Sequence, residues 1–367
     1  MNAGVGAGRP GHAGGALAFV VPGDIDDVTV PSGGNTYDRR LRAAFAAAGR
    51  EVREIAVPGG WPRPDAAART RLCEALAGLP DAAAVLIDGI VACGVPEVMV
   101  PAARRLRVTV LVHLPLADET GLERATAAEL DARERATLRA ASAVVATSEW
   151  TAHRLVAHHG LAADRVAAVP PGTDPAPLAP GTDGRSRLLC VAAVTPRKGQ
   201  DLLVEALAGA GREPGWSCGC VGPVRRDPAF AARVRDLVER HGLGDRVTIA
   251  GPLTGADLAA CYAAADLLVL PSRAEPYGMV VTEALARGIP VLATAVDGLP
   301  EAVGHATDGA VPGILVPPED VPALTAALRR WFADPALRDR LRAAARSRRE
   351  TLAGWDAVAG RFPGSAT

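Results

Sequence analysis

Short, continuous apolar runs alternate with longer amphipathic stretches along this chain, and they do so in two series. A strand covered by helices on both faces reads as an unbroken apolar run, so this pattern specifies parallel α/β layers. In the first series the predicted strands are Ala16–Val21, Val52–Val57, Ala83–Ile87, Val108–His113, Ala143–Ala146 and Val166–Val169. Helical stretches such as Thr36–Ala48, Ala66–Ala77, Glu123–Ala141 and Glu149–His159 lie between them. Residues 170–184 are rich in Pro and Gly and have no periodicity, which reads as a linker. The second series predicts strands at Leu188–Val194, Ser217–Val221, Val247–Ala250, Leu267–Leu270, Val291–Thr294 and Ile314–Val316. Its helices are Gln200–Ala208, Ala229–His241, Ala256–Ala264, Met279–Arg287 and Ala323–Ala333. A chain of 367 residues exceeds what one core usually serves, about 250–300 residues. The expected domains are 1–175 and 186–347, followed by a tail at 348–367. Two doubly wound sheets in tandem leave a cleft, and ligands bind outside the carboxyl ends of such strands.

Charge excludes some partners. The 40 Lys plus Arg against 41 Asp plus Glu leave a formal charge of -1, which argues against a broad nucleic-acid surface. Apolar residues at 49% and charged residues at 22% describe a globular chain, and aromatics at 4% leave the core to Ala, Val and Leu. The six cysteines include no C-x-x-C pair, so buried reduced thiols are expected and a zinc or redox site is not. No apolar run approaches the roughly 18–20 residues of a membrane span. Residues 1–15 are Gly-rich, and Ala16–Val21 reads as a first strand and not as a signal peptide, so a cytoplasmic protein is expected. Neither domain has G-x-G-x-x-G after its first strand with an acidic residue about 20 positions on, which disfavours a dinucleotide dehydrogenase.

The segment from Asp266 to Thr294 carries the most chemistry. A strand runs into a loop holding Glu275, then Gly278 opens a helix that contains Glu283. The first amides of a helix have no intrahelical partner and favour anions. Amides for phosphate and two carboxylates for hydroxyls are what a nucleotide-sugar requires. Two solvent-facing carboxylates flanking a helix start are the bland alternative. A second element, Thr195-Pro-Arg-Lys-Gly-Gln-Asp201, puts Lys198 at a strand-to-helix turn, where it can neutralise a diphosphate. A third, Pro31-Ser-Gly-Gly-Asn-Thr-Tyr-Asp38, follows the first strand, and its consecutive glycines permit close backbone approach to an anion. An ordinary turn, with Asn35 or Asp38 as a helix cap, is the alternative there. His113 ends a buried strand on the side of the cleft, as do Thr147 and Ser148 one strand later. His158-His159 reads as a solvated helix end.

Together these motifs resemble the retaining GT-B glycosyltransferases, in particular family 4, over nearly the whole chain. The resemblance implies two Rossmann-like domains, the C-terminal one binding the donor and the N-terminal one the acceptor, with the tail packing back on the N-terminal domain. It implies that Glu275 meets donor-sugar hydroxyls, Glu283 the ribose and Lys198 the diphosphate, with His113 beside the reacting sugar. Gly33, Gly34, Arg197, Gly278, Met279 and Val280 would line the donor phosphates, and Leu253 of Gly251-Pro-Leu-Thr254 the base. Asn35, Tyr37, Thr147 and Ser148 are acceptor-side candidates. Gly298-Leu-Pro-Glu301 and the stretch from Gly313 to Asp320 match later, mainly structural, signatures. Two departures stand out: Ala193 occupies a position where many members carry a phosphate-facing Arg, and Tyr277 stands where Phe is usual. Asp24-Ile-Asp26 lacks the setting of a metal-binding Asp-x-Asp element, so a metal-independent reaction without a cofactor is expected. The implied partners are a nucleotide-sugar, UDP-linked before GDP-linked, and a soluble small-molecule or glycan acceptor. Weaker readings are a sugar phosphorylase or nucleotide-sugar epimerase on the same fold, or a non-catalytic nucleotide-sugar-binding protein.

Overall fold

The computed structural model describes residues 16–27, 32–182, 186–211 and 215–362. Residues 1–15, Pro31 of the Gly-Gly element and residues 183–184 of the linker lie outside the described residues, as do the last five of the tail. The first half contains strands β1 (Leu17–Pro22), β2 (Val52–Val57), β3 (Ala84–Asp88), β4 (Arg107–Val112), β5 (Ala143–Ala146) and β6 (Val166–Ala168). Its helices are α1 (Gly33–Ala47), α2 (Ala66–Ala77), α3 (Gly89–Ala92), α4 (Pro96–Ala103), α5 (Arg124–Ala140) and α6 (Glu149–His159). The second half contains β7 (Ser186–Val191), β8 (Trp216–Val221), β9 (Val247–Gly251), β10 (Leu267–Leu270), β11 (Val291–Thr294) and β12 (Gly313–Val316). Its helices are α7 (Gln200–Ala210), α8 (Pro228–Arg240), α9 (Gly255–Ala263), α10 (Met279–Leu285), α11 (Leu299–Val303), α12 (Val321–Ala333), α13 (Pro335–Arg349) and α14 (Trp355–Arg361).

Both sheets have six strands, in the orders β2-β1-β3-β4-β5-β6 and β12-β11-β10-β7-β8-β9. Every pairing is parallel. The two-domain α/β architecture is that of the GT-B fold. The winding direction reverses between β1 and β3 and again between β7 and β10, and such switch points open a crevice at the strands' carboxyl ends. Helices cover both faces, so the central strands β1 and β10 are buried along their whole length. The core is built mostly of Val, Leu and Ala; each Leu or Val buried completely contributes about 1.5–3 kcal/mol. Asp-Pro pairs start α8 and α13, with Asp227 and Asp334 accepting from Phe230 and Leu337 amides and the prolines pre-set for the first turn.

Two features fix how the chain passes between the halves. Asp266, buried at the start of β10, accepts from the Thr182 amide and hydroxyl, the Arg187 amide and the Arg342 guanidinium. It thereby pins the linker to the second sheet. After α13 the chain crosses back: α14 packs on α1, with Phe362 edge-on to Phe45 at 5.4 Å between centroids and Trp355 edge-on to Tyr37 at 5.3 Å.

The structure departs from the sequence expectation in places. Strand β7 stops at Val191 and not at Val194; just beyond it Gly222 lies so close to the Ala192 carbonyl that a Cβ would have no room. Helices α3, α4, α11, α13 and α14 were not anticipated. The first two are short, and α4 carries Pro101 inside it. His159 is not solvated: it is buried, with Nε2 3.1 Å from Glu134 Oε2, which joins α5 to α6. Cys73 is exposed, whereas Cys93, Cys190, Cys218 and Cys220 are buried. Among the described residues no helix is long and apolar enough to cross a membrane.

Candidate functional site

The loops after β1, β3, β4, β7, β9 and β10 converge on a cleft of about 560 Å³ between the two sheets. On the C-terminal wall, a single 3-10 turn, Pro196–Lys198, follows β7. It ends at Gly199, whose φ of +69° and close approach to the Pro271 carbonyl leave no room for a Cβ. That turn delivers Lys198 Nζ into an ion pair with Glu275 Oε2. The side chains are 14% and 9% exposed. Burial, opposed by Glu275, pushes the Lys198 ammonium below its usual range.

Glu275 is held from behind. Its amide donates to Asp297 Oδ2 at 2.8 Å and its carbonyl accepts from the Gly298 amide at 3.1 Å. Asp297 adopts a φ of +49°, and burial raises its carboxyl. Arg273 braces the other side, bonding both Asp201 carboxylate oxygens at 2.9 Å, the Pro196 carbonyl at 2.6 Å and Glu319 at 3.1 Å. Asp297 and Arg273 were missed by sequence reasoning; Arg273 stands two residues before Glu275, whereas Asp297 lies 22 residues on and only the fold brings it to the site. Gly278, at φ +92°, starts α10. One turn on, Glu283 accepts from the Tyr262 hydroxyl at 2.8 Å, and burial raises its carboxyl against that hydrogen bond. Leu253, Pro252, Leu258 and Val221 form an apolar corner of the same wall.

On the N-terminal wall, Ser32 caps α1 by accepting from the Asn35 amide. Gly33 and Gly34 therefore form the first helical turn and not a loop. The absence of side chains lets this turn close on its neighbours: a Cβ on Gly34 would lie 3.1 Å from the His113 ring, and one on Gly33 would face Met279 Sδ across the cleft at 4.0 Å. His113 Nε2 is 2.9 Å from Asp38 Oδ1, and Asp88, at the end of β3, stands beside both. Asp88 was also missed; its place at a strand's carboxyl end was the available signal. Asp38, Asp88 and His113 form one cluster whose ligand-type atoms lie within 4.8 Å of one another; Asp131, His158 and His159 form a second, outside the cleft. Each cluster is held by a histidine–carboxylate hydrogen bond.

A sequence model described as "Glycosyl transferases group 1" matches residues 180–348, and one described as "Glycosyltransferase Family 4" matches residues 31–177. The chain belongs to glycosyltransferase family 4. Among its relatives is a D-inositol 3-phosphate glycosyltransferase of Kineococcus radiotolerans, 36% identical over 62% of this chain and 57% of the relative. Another is the protein of the same name from Streptomyces bingchenggensis, 35% identical over 60% of this chain and 51% of the relative. The matches thus span little more than half the length of these relatives. A sucrose-phosphate synthase from Thermosynechococcus elongatus superposes with a TM-score of 0.74 at 27% identity, over 94% of this chain and 96% of that one. Anabaena HepE, in complex with UDP and glucose, shares the fold at 18% identity with a TM-score of 0.69, over 94% of this chain and 96% of that one.

Within this family 4 chain the cleft gathers most, but not all, of the expected residues. Gly33, Gly34, Asn35, His113, Thr147, Arg197, Lys198, Leu253, Glu275, Gly278, Met279, Val280 and Glu283 all line it. Two acceptor-side expectations change. Tyr37 reaches the floor of the cleft, but it is buried and its hydroxyl donates to the Val169 carbonyl at 2.9 Å. Ser148 is fully buried and caps α6 through the Thr151 amide at 3.0 Å, so its hydroxyl serves the helix. Arg197 does not simply replace the cation missing at Ala193. Its Nε lies 3.7 Å from Glu119 of the opposite wall, and its Nη1 donates to the Ala274 carbonyl at 3.4 Å. Arg226, after β8, also lines the C-terminal wall and was not anticipated. Glu301, in the later signature, accepts from the Glu149 amide at 2.9 Å and so joins the domains.

Proposed function

We propose that this protein transfers a sugar from a nucleoside-diphosphate donor, UDP-linked before GDP-linked, to an acceptor hydroxyl with retention at the anomeric carbon. The observation that carries this reading is the Lys198–Glu275 pair at the carboxyl ends of β7 and β10, in the same cleft as His113. In the free protein each charge neutralises the other. With donor present, Lys198 turns to the diphosphate and Glu275 to the sugar hydroxyls, a position from which it fixes the anomeric carbon. The apolar corner at Leu253 takes the base, and Glu283 the ribose.

The bond that breaks joins the anomeric carbon to the diphosphate oxygen. The bond that forms joins that carbon to the acceptor oxygen on the same face, and the acceptor's proton passes to the leaving phosphate. Negative charge grows on that phosphate, and Lys198, Arg197 and the first amides of α10 offset it. Since these donors supply the positive charge, the reaction runs without a metal. Donor positioning near His113 follows from the narrow gap between α1 and α10, where Gly33 faces Met279.

A thermal-shift panel of UDP-, GDP-, ADP- and TDP-sugars tests the donor, since a ligand that binds only the folded state raises its stability. NMR of the product tests stereochemistry. An inverted product would overturn retention, and phosphate-dependent release of sugar phosphate would make the enzyme a phosphorylase.

A further inference from the structure

Resting on the transferase reading above, we propose that the acceptor is a hydroxyl-bearing molecule with an apolar ring or chain and with no phosphate or carboxylate of its own. The two walls of the cleft differ in kind. Every Lys or Arg that lines it among the described residues, namely Arg197, Lys198 and Arg226, lies on the C-terminal wall. The N-terminal wall, from Pro22 to Pro171, contributes none among the described residues. Its charged groups are Asp24, Asp88, Glu119 and His113, and His113 is hydrogen-bonded to Asp38. An anionic acceptor on this wall would lose water and meet one cation, His113, whose charge Asp38 already offsets, beside Asp24, Asp88 and Glu119.

What the wall does offer is apolar surface. Ile90 is one of three large apolar residues exposed among the described residues, at 39%, and it lines the cleft. Trp61, Leu114 and Leu122 line the same side and are partly exposed. The Trp61 indole N–H donates to the Val57 carbonyl at 2.8 Å, so its polar edge is satisfied within the protein. Leu114 belongs to a loop held in place from below, where the Leu116 amide donates to buried Glu134 at 3.3 Å. Isolated exposed apolar side chains are ordinary, but these converge on a concave surface next to His113, which is the setting of a ligand site. The polar groups Asn35, His113 and Thr147 line the same cleft and can meet the acceptor hydroxyl.

Calorimetry separates this inference from the reading beneath it. The protein, saturated with whichever of UDP or GDP it binds, is titrated with phenyl β-D-glucoside and with glucose 6-phosphate. The expected result is binding of phenyl β-D-glucoside at least tenfold tighter than glucose 6-phosphate. Equal or reversed affinities would overturn the proposal, and so would binding of neither. Ile90→Lys, a change at an exposed position, is expected to weaken phenyl β-D-glucoside at least fivefold while UDP affinity stays as in the wild type. Unchanged glucoside binding by that variant would put the ligand elsewhere and also overturn the proposal. If the free protein binds phenyl β-D-glucoside but no nucleoside diphosphate, the transferase reading falls and the apolar site stands.

Discussion

His113 Nε2 lies 2.9 Å from Asp38 Oδ1, on the floor of the cleft, and the second Asp38 oxygen is buried without a hydrogen-bond partner among the described residues. Burial alone would push the imidazole down. The charge and hydrogen bond of Asp38, then the charge of Asp88, outweigh it and bring His113 up to about 9. His113 is therefore a cation at neutral pH, sited where a leaving diphosphate or a sugar hydroxyl can use it. The stability this pair contributes is fully present below the unfolded value of about 6.5 and is lost as pH rises through about 9. Asp38→Asn should lower Tm at pH 6–7 by about 2 °C or more and leave it nearly unchanged at pH 10. A pH-independent difference in thermal melts would contradict the assignment.

Asp88 behaves in the opposite chemical sense. Burial, then the neighbouring Asp38, push its carboxyl up to about 7. A raised carboxyl stabilises the fold only while protonated; that contribution is full below about 3.8 and lost as pH rises through about 7. Asp88→Asn mimics the protonated form and keeps an oxygen for the Ile90 amide, which Asp88 Oδ1 accepts at 2.9 Å. The variant should therefore gain Tm relative to wild type as pH goes from 5 to 8. A constant offset across that range would show that Asp88 does not titrate there.

The twelve strands were legible because a doubly covered parallel sheet writes itself as continuous apolar runs. Lys198, Glu275 and Glu283 were legible because each sits in a motif fixed by local chain geometry. Asp88, Arg226, Asp297 and Arg273 were not, since their partners come from other loops and become neighbours only when the two sheets are in place. His159 shows the same limit in the core: nothing in His158-His159 reveals that Glu134, 25 residues earlier, waits beneath it. Tyr37 and Ser148 show a related limit. Their positions pointed to the cleft, but a distant carbonyl and a helix start claim their hydroxyls.

Breaking the Lys198–Glu275 pair should act on rate far more than on folding. Lys198→Ala and Glu275→Ala should each lower transfer about 10²–10³-fold, the usual loss for one preorganised group. Both should melt cooperatively, because the side chains border the cleft and are not core filling. Near-wild-type turnover by both variants would remove them from the site.

Chelation separates cation-from-protein from cation-from-metal catalysis. With Lys198, Arg197 and the α10 amides opposing the phosphate charge, EDTA should leave the transfer rate within about twofold of its untreated value, against the tenfold that each 1.36 kcal/mol of lost stabilisation would cost. A large loss restored by added Mg²⁺ or Mn²⁺ would require a metal at the diphosphate.

Glu275 is positioned by backbone, and this can be tested without touching its side chain. A Cβ on Gly298 would fall 2.0 Å from the Pro276 carbonyl oxygen, so Gly298→Ala must push that carbonyl and the adjoining Glu275 loop aside. The hydrogen bond from the Gly298 amide to the Glu275 carbonyl would go with it. Overpacking of this kind costs about 1–3 kcal/mol of stability. Transfer should fall more than tenfold, because a small misplacement of a positioning group is expensive in rate. Affinity for the nucleoside diphosphate should fall less than transfer does, since Lys198 and the base corner belong to other loops and only the first amides of α10 adjoin the displaced segment. Gly244, with nothing within 4 Å of its added Cβ, supplies the control: Gly244→Ala should leave both quantities unchanged. If Gly298→Ala weakened nucleotide binding and transfer in parallel, the loop would be holding the nucleotide and not the sugar.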